Sequence, residues 1–420
     1  MANTFGGAGS PRYKWYVVGM LWWISFFNYA ARQAIFSVFP LLEKEMHLGP
    51  IELGLLGSSF AWVYGVCAPL AGNIVDRVRR VSAILGGLYA WSLICMLTAL
   101  SRNFRQLLFF RAAEGLGETF YYPASMSLVS DYHGPETRSR AMGFHQTSVY
   151  GGTIGGGFFA GLIGQHYGWK SSFVVFGGLG ILVGLVISRF LVEPRRGAMD
   201  EGLTLRERVP LKAFLKLIWG RPTVLILMGA FVCANFVAVV LLSWMPKFLY
   251  DRFQWSLATA ALVATVFAQV ATVVGAAVGG WLADWLRRRT AGGRMAVQMT
   301  GCLAAAPFVL MCGQAGSAAV VITALMAWGF FKGLYDANIF ASVFDVIRPE
   351  ARGTASGFMN LVGWLGGGTA PVIVGLLAGR YGLGNAISLA CLVYTSGGLL
   401  LLTGILAFVK KDAARFAADL

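Results

Sequence analysis

The sequence predicts an all-α membrane protein of twelve transmembrane helices in two pseudo-symmetric six-helix bundles, and three observations carry that prediction. Of the 420 residues 57% are hydrophobic and only 13% charged, against about 25% charged in soluble domains. Apolar stretches long enough to cross a bilayer recur along the whole chain. Motifs of the first half recur in the second, in the same order and at nearly constant offset.

The spans fall at about 14–42, 52–76, 81–101, 105–132, 140–165, 171–192, 222–248, 257–286, 295–314, 317–346, 353–379 and 384–409. Most of the 34 Lys and Arg residues lie in or beside the termini and the even-numbered connections, and only Arg32, Arg111 and Lys332 lie deep within spans. This is the positive-inside pattern, so both termini are expected to be cytoplasmic. The net charge of +15 therefore reports topology and the lipid surface, and no nucleic-acid partner is expected. The first span lacks a small-residue cleavage site and reads as a retained helix. The expected organisation is a cytoplasmic tail over residues 1–13, a first bundle over 14–192, a cytoplasmic linker over 193–221, a second bundle over 222–409 and a cytoplasmic tail over 410–420. Within the linker, residues 212–219 could form a short amphipathic helix on the inner leaflet. All six cysteines fall within spans, with no metal-binding spacing, and read as small core residues.

Span 1 carries one charge between Lys14 and Leu42, the guanidinium of Arg32 in Asn28-Tyr29-Ala30-Ala31-Arg32. A charge in mid-membrane is costly and faces a partner, a ligand or water, so Arg32 is a candidate anion site, the alternative being a structural ion pair. A short outer loop follows at Glu43-Lys44-Glu45. Span 2 ends in Gly72-Asn73-Ile74-Val75-Asp76-Arg77-Val78-Arg79-Arg80, with Gly72 expected to allow close helix approach and Asp76 to accept hydrogen bonds from a neighbouring helix end. The turn after span 8 repeats it 208 residues later, as Gly280, Asp284 and Arg288. Arg138, Ala141, Gly143-Phe144 and Tyr167-Gly168 recur 214 residues later as Arg352, Ala355, Gly357-Phe358 and Tyr381-Gly382. The Gly-x-x-x-Asp-Arg-x-Arg-Arg turn, with Arg77 and Arg80, resembles the signature between the second and third helices of the major facilitator superfamily. That resemblance covers nearly the whole chain and implies a transporter built by duplication of six spans.

Span 4 holds Arg111, Glu114, Gly115, Gly117 and Glu118, then Tyr121-Tyr122-Pro123. Glu114 and Glu118 are four apart and share a face, with Arg111 one turn before Glu114. Arg111 is placed to hold Glu114 ionised, while Glu118 has no cation nearby in sequence and is the acid expected to load and release a proton. The alternative is a pair between Glu118 and a distant cation, Arg32 or Lys332. Span 5 carries His145, a candidate substrate hydrogen-bond partner or proton relay, and glycines at 151, 152 and 155–157 that let helices approach. It lacks the proline of the fifth-helix motif in drug:proton antiporters. In span 10 Lys332 and Asp336 are four apart and either pair with each other or supply a second cation and a second titratable acid. Asn360 in span 11 is a polar liner.

Asn28-Tyr29-Ala30-Ala31-Arg32-Gln33 with Phe39-Pro40 resembles the first helix of the anion:cation symporter family. The resemblance implies that Arg32 binds a substrate carboxylate and that Glu118 is protonated during transport. Many relatives place Asp before the arginine where this chain has Ala31, which leaves Glu118 as the main coupling acid. Span 1 also resembles the organophosphate:phosphate antiporters, but their second arginine in span 7 is absent, since Phe236-Val237-Ala238-Val239-Val240 stands there. A third resemblance is to the spinster group of lysolipid exporters. The expected function is proton-coupled symport of a small organic monocarboxylate such as a sugar acid, by alternating access at a mid-membrane site. Lysolipid export and organic-phosphate exchange are the alternatives. Arg32, Tyr29, Tyr121, Tyr122, His145, Lys332 and Asn360 are the expected substrate contacts, and Glu118, Glu114 and Asp336 the expected proton sites. No cofactor beyond a proton gradient and no metal are expected, and the chain is expected to work as a monomer in a bacterial inner membrane. Enzyme motifs such as His-Glu-x-x-His, Gly-x-Ser-x-Gly and Gly-x-x-x-x-Gly-Lys are absent.

Overall fold

Helix covers each of the twelve predicted spans in the computed structural model, which describes residues 12–75, 77–195, 199, 218–347 and 351–418. The helices are α1 Tyr13–Ser37, α2 Phe39–Met46, α3 Pro50–Val75, α4 Arg80–Thr98, α5 Phe104–Glu118, α6 Tyr121–Tyr132, α7 Pro135–Tyr167 and α8 Trp169–Ile187. They continue as α9 Pro222–Phe253, α10 Leu257–Arg287, α11 Gly293–Gln314, α12 Ala318–Asp336, α13 Ile339–Phe344, α14 Arg352–Gly368, α15 Ala370–Tyr381, α16 Leu383–Ala407 and α17 Val409–Ala418. Spans 1, 4, 10 and 11 are each interrupted. Three of the four breaks stand just ahead of a proline, Pro40, Pro123 or Pro371, whose missing N–H favours a fresh helix start. At two of them a threonine hydroxyl donates back into the preceding turn, Thr119 to Gly115 O at 2.7 Å and Thr369 to Gly366 O at 2.6 Å. The fourth break, at Ala337-Asn338, has no proline; there Asn338 Nδ2 donates to Gly279 O and Leu334 O.

Among the described residues nine helical segments are long and apolar enough to cross a membrane on composition alone. The spans outside that group are α1, the α5–α6 pair and α7. These are the helices that carry Arg32, the Arg111–Glu118 stretch and His145. Polar and charged side chains within these helices lower their mean hydropathy, and a hydropathy criterion passes them over.

The chain divides into two compact units, Met1–Thr204 with Trp255–Leu262, and Leu205–Gln254 with Val263–Leu420. In the first, α1 lies against α7 through Gly152 and Gly156, where an added Cβ would meet Phe26 O at 2.5 Å and the Ala30 backbone. Gly115 sets α5 against α3 at the Phe60 carbonyl, and Gly117 sets it against α4 at Trp91. In the second unit, Gly275 and Gly329 bring α10 and α12 together in the same manner. The motif glycines behave differently from expectation: a Cβ at Gly72 or Gly280 would meet nothing within 4 Å, so close approach does not account for them. Asp76 lies outside the described residues, as do residues 1–11 and most of the linker, including 212–217 of the expected amphipathic helix. One further correction concerns a connection: Glu43-Lys44-Glu45 is part of α2 rather than loop. The C-terminal tail is helical over its described residues, as α17.

The duplication is written into the backbone. Gly168 and Gly382 share φ +81° with ψ of 157° and 152°, and His47 and Gln254 close α2 and α9 in the same left-handed conformation. Arg138 donates to the carbonyl of Ser130, eight residues back, as Arg352 does to that of Phe344. Asp131 pairs with Arg80, while its counterpart Asp345 pairs with Arg287 at 2.8 Å and Arg294 at 3.0 Å. Arg294 also binds Asp284 at 2.8 Å. Arg77 and Arg288 are exposed, so of the predicted motif arginines Arg80 alone is buried in its cluster.

Each unit also has a carboxylate capping a helix start. Glu193 accepts from the amides of Arg80 at 3.2 Å and Val81 at 2.7 Å, and from Arg80 Nε at 3.0 Å. Asp412 of α17 accepts from the amide of Thr223 at 3.0 Å at the start of α9. Burial pushes the Glu193 carboxyl up, but the Val81 amide and the Arg80 guanidinium and amide outweigh it and hold it below the usual carboxylate range. A depressed native value means stability present at neutral pH and lost as the carboxylate protonates. Glu193→Gln is therefore expected to cost about 1 kcal/mol at pH 7, a deficit that shrinks as pH falls below about 4; thermal melts in detergent across pH check this. Gly156→Ala is expected to cost about 3 kcal/mol, because the Ala30 backbone cannot yield. Gly143→Ala, where a Cβ meets nothing within 4 Å, is the neutral control in the same melts.

Candidate functional site

Arg32 leaves α1 three turns after Leu21 and points at α5. Its Nη2 lies 2.6 Å and its Nε 3.1 Å from Glu118 Oε2. Nη2 also reaches Asn28 Oδ1, one turn back, at 3.4 Å. The Glu118 side chain is fully buried and that of Arg32 is 11% exposed, so the pair is shielded from solvent. Three aromatic rings surround the guanidinium: Tyr29 at 4.6 Å, Phe60 at 4.7 Å and Tyr64 at 5.0 Å from ring centroid to Cζ. A cation over π faces within about 6 Å is attracted by the ring quadrupole, more strongly where water is excluded.

One turn along α5, Arg111 and Glu114 form a second ion pair with both side chains fully buried. Arg111 lies over the same Phe60 ring at 5.0 Å. Glu114 Oε1, Glu118 Oε1 and two Arg111 nitrogens are buried without a hydrogen-bond partner among the described residues. Leaving a charged group part-satisfied in a low dielectric is costly, and such sites are more often functional than structural. Breaking either pair by removing one partner is expected to cost about 3–5 kcal/mol, because it strands a buried charge.

The structure sorts the residues singled out from the sequence. Arg32, Tyr29, Glu118, Glu114 and Arg111 converge in the first unit. Tyr121 and His145 turn elsewhere: the Tyr121 hydroxyl lies 2.6 Å from Leu21 O and 2.8 Å from His145 Nε2. A carbonyl only accepts, so the single hydroxyl proton goes to Leu21 and His145 must donate from Nε2. That fixes the tautomer and leaves Nδ1, which has no partner among the described residues, as a buried lone pair. His145 and Tyr121 thus tie α7 and α6 to α1. Tyr122 is 39% exposed. In the second unit Lys332 and Asp336 form the one-turn ion pair that their spacing allowed, and Asn360 is half-buried on α14. No cluster of metal-ligating side chains occurs among the described residues.

Two residues of the site were missed. Phe60 and Tyr64, four apart on α3, stack on each other at 6.1 Å and line Arg32. Their spacing is that of any buried helix face, so nothing local separates them from core. The one available signal is the Gly115-x-Gly117 stretch, which requires α3 and α4 to come close to the acids of α5.

Comparison with known proteins follows the same lines. The sequence pattern of the Major Facilitator Superfamily matches residues 21–371. The chain is similar to the hexuronate transporter of Bacillus subtilis (strain 168), with 26% identity over 93% of this chain and 91% of that one. It is likewise similar to the protein spinster of Drosophila melanogaster, with 26% identity over 87% of this chain and 62% of that one. Among solved structures, a bacterial homologue of the human lysosomal transporter spinster, inward-facing and unoccupied, superposes with a TM-score of 0.80. It is 22% identical, and the match covers 98% of this chain and 99% of that one. The fold, the internal repeat and the pattern match agree: this chain is a multi-pass membrane protein that belongs to the Major Facilitator Superfamily.

Proposed function

We propose that the protein is a secondary transporter of small organic anions, carrying a monocarboxylate of the sugar-acid class together with a proton by alternating access. The observation that carries this reading is a buried arginine whose partner acid shares its helix bundle and has an oxygen to spare. A substrate carboxylate offers Arg32 the same kind of acceptor as Glu118, which engages the guanidinium through Oε2 alone. Substrate and Glu118 therefore compete for one guanidinium, and a proton on Glu118 removes the competitor. Affinity for the anion then rises when the proton binds, and by linkage the bound anion raises the affinity for the proton. That reciprocity is symport.

Two of the relatives carry hexuronate or D-galactonate in their names, which supports the sugar-acid class. Arg111 is already paired with Glu114, so Arg32 alone is left to meet the substrate, and one guanidinium suits one negative charge better than two, which disfavours a phosphate dianion. The likeness to spinster keeps an amphiphile as the competing cargo. Termini in the cytoplasm, a bacterial inner membrane and a working monomer complete the reading.

The test is uptake of radiolabelled galacturonate into proteoliposomes, with and without an inward proton gradient. Wild type is expected to accumulate it only with the gradient. Arg32→Ala is expected to lose uptake by at least 100-fold, as breaking a charge-assisted contact of about 3 kcal/mol implies. Glu118→Gln is expected to retain exchange while losing accumulation. Uptake by Arg32→Ala at the wild-type rate, or movement of lysophospholipid with no movement of any soluble acid, would overturn the proposal.

A further inference from the structure

Phe60 has no polar atom and is 3% exposed, so a role in packing alone would be satisfied by an aliphatic side chain. Its surroundings say otherwise. Two guanidinium carbons lie within 5.0 Å of its ring centroid, Arg32 from α1 and Arg111 from α5. Each arginine has its own acid on α5, Glu118 and Glu114, one turn apart. Two like charges are thus gathered around one ring in a site shielded from water, where an aliphatic neighbour would offer them nothing and a π face offers attraction. The ring is itself held in place. Gly115 brings α5 so near that an added Cβ would come within 2.6 Å of the Phe60 carbonyl, and Tyr64 stacks on the ring at an interplanar angle of 18°.

While Glu118 is engaged, its carboxylate alone can orient Arg32. The need for a second holder arises during exchange, when one carboxylate leaves the guanidinium and another arrives. The Phe60 ring bears on Arg111 as well as on Arg32. We propose that Phe60 is a positioning residue of the anion site: its ring keeps Arg32 in register while a substrate carboxylate replaces Glu118, and by holding Arg111 it fixes the spacing of the two ion pairs. This rests on the reading of Arg32 as the anion grip.

The test replaces Phe60 in the full-length chain with mono-, di- and trifluorophenylalanine, which drain the ring face of electron density with little change of volume, and with Tyr and Leu. The first readout needs no ligand. In a Glu118→Gln background, where Arg32 has lost its acid, the melting temperature is expected to fall stepwise with each fluorine. A flat series there overturns the inference, since a ring that merely packs is indifferent to its electrons. The second readout is galacturonate binding and counterflow in the otherwise wild-type chain. KM and Kd are expected to rise stepwise, about tenfold by the trifluoro variant and for Leu, with kcat within about twofold and Phe60→Tyr close to wild type. A Kd unchanged along the series also overturns it. A graded melting series with no galacturonate binding in wild type would instead overturn the anion reading and leave Phe60 as a holder of arginines alone.

Discussion

The Arg32–Glu118 ion pair is the constraint on which the rest of the first unit depends. Burying either charge alone costs several kcal/mol, so the bundle must deliver both to one point and keep water from the pair. The glycines do the delivering. Gly152 and Gly156 let α1 sink onto α7, and Gly115 and Gly117 let α5 sink between α3 and α4. The aromatic rings of Tyr29, Phe60 and Tyr64 then fill the space around the guanidinium with π faces, which neither strip it of stabilisation nor neutralise it.

Around this centre the helices divide their labour. The helices that carry its charged groups, α1 and the α5–α6 pair, do not pass as membrane spans by composition, whereas α3, which lends the Phe60 and Tyr64 rings, does. Away from the site, where spans give way to connections, polar groups do conventional work. Glu193 and Asp412 cap helix starts, Arg80 gathers Asp131 and Glu193, and Asp345 holds Arg287 and Arg294. These contacts join connecting segments to helix ends within each unit, so that neither unit depends on hydrophobic packing alone, which is a weak force between helices in lipid.

Much of this was legible in the sequence. The helical spans and the repeat follow from apolar runs and offset matching, and Arg32 and Glu118 were singled out by the cost of an intramembrane charge. The contact between Arg32 and Glu118 stood as one of two options, because 86 residues separate them and no local rule decides the partner. Phe60 and Tyr64 were silent, since a ring that holds a cation and a ring that fills a core have the same sequence pattern. Tyr121 and His145 stood out as polar groups in spans, but no local rule gave their partners: the Leu21 carbonyl takes up the Tyr121 hydroxyl and Tyr121 takes up the His145 N–H. The motif glycines Gly72 and Gly280 show the converse, a conspicuous spacing with no close neighbour to explain it. Helix breaks ahead of Pro40, Pro123 and Pro371 were not decided by the missing N–H alone, since Pro69, Pro246 and Pro307 lie inside unbroken helices.

The claim at the centre of this account is that Glu118 and the transported carboxylate compete for Arg32. Isothermal titration of galacturonate into purified wild type and Glu118→Gln at pH 7.5 tests it most directly. Removal of the internal competitor should tighten binding, about tenfold if the pair contributes on the order of 1.4 kcal/mol at that pH. Weaker binding in Glu118→Gln, in step with the loss in Arg32→Ala, would mean that the acid helps to hold the anion and that the competition does not exist.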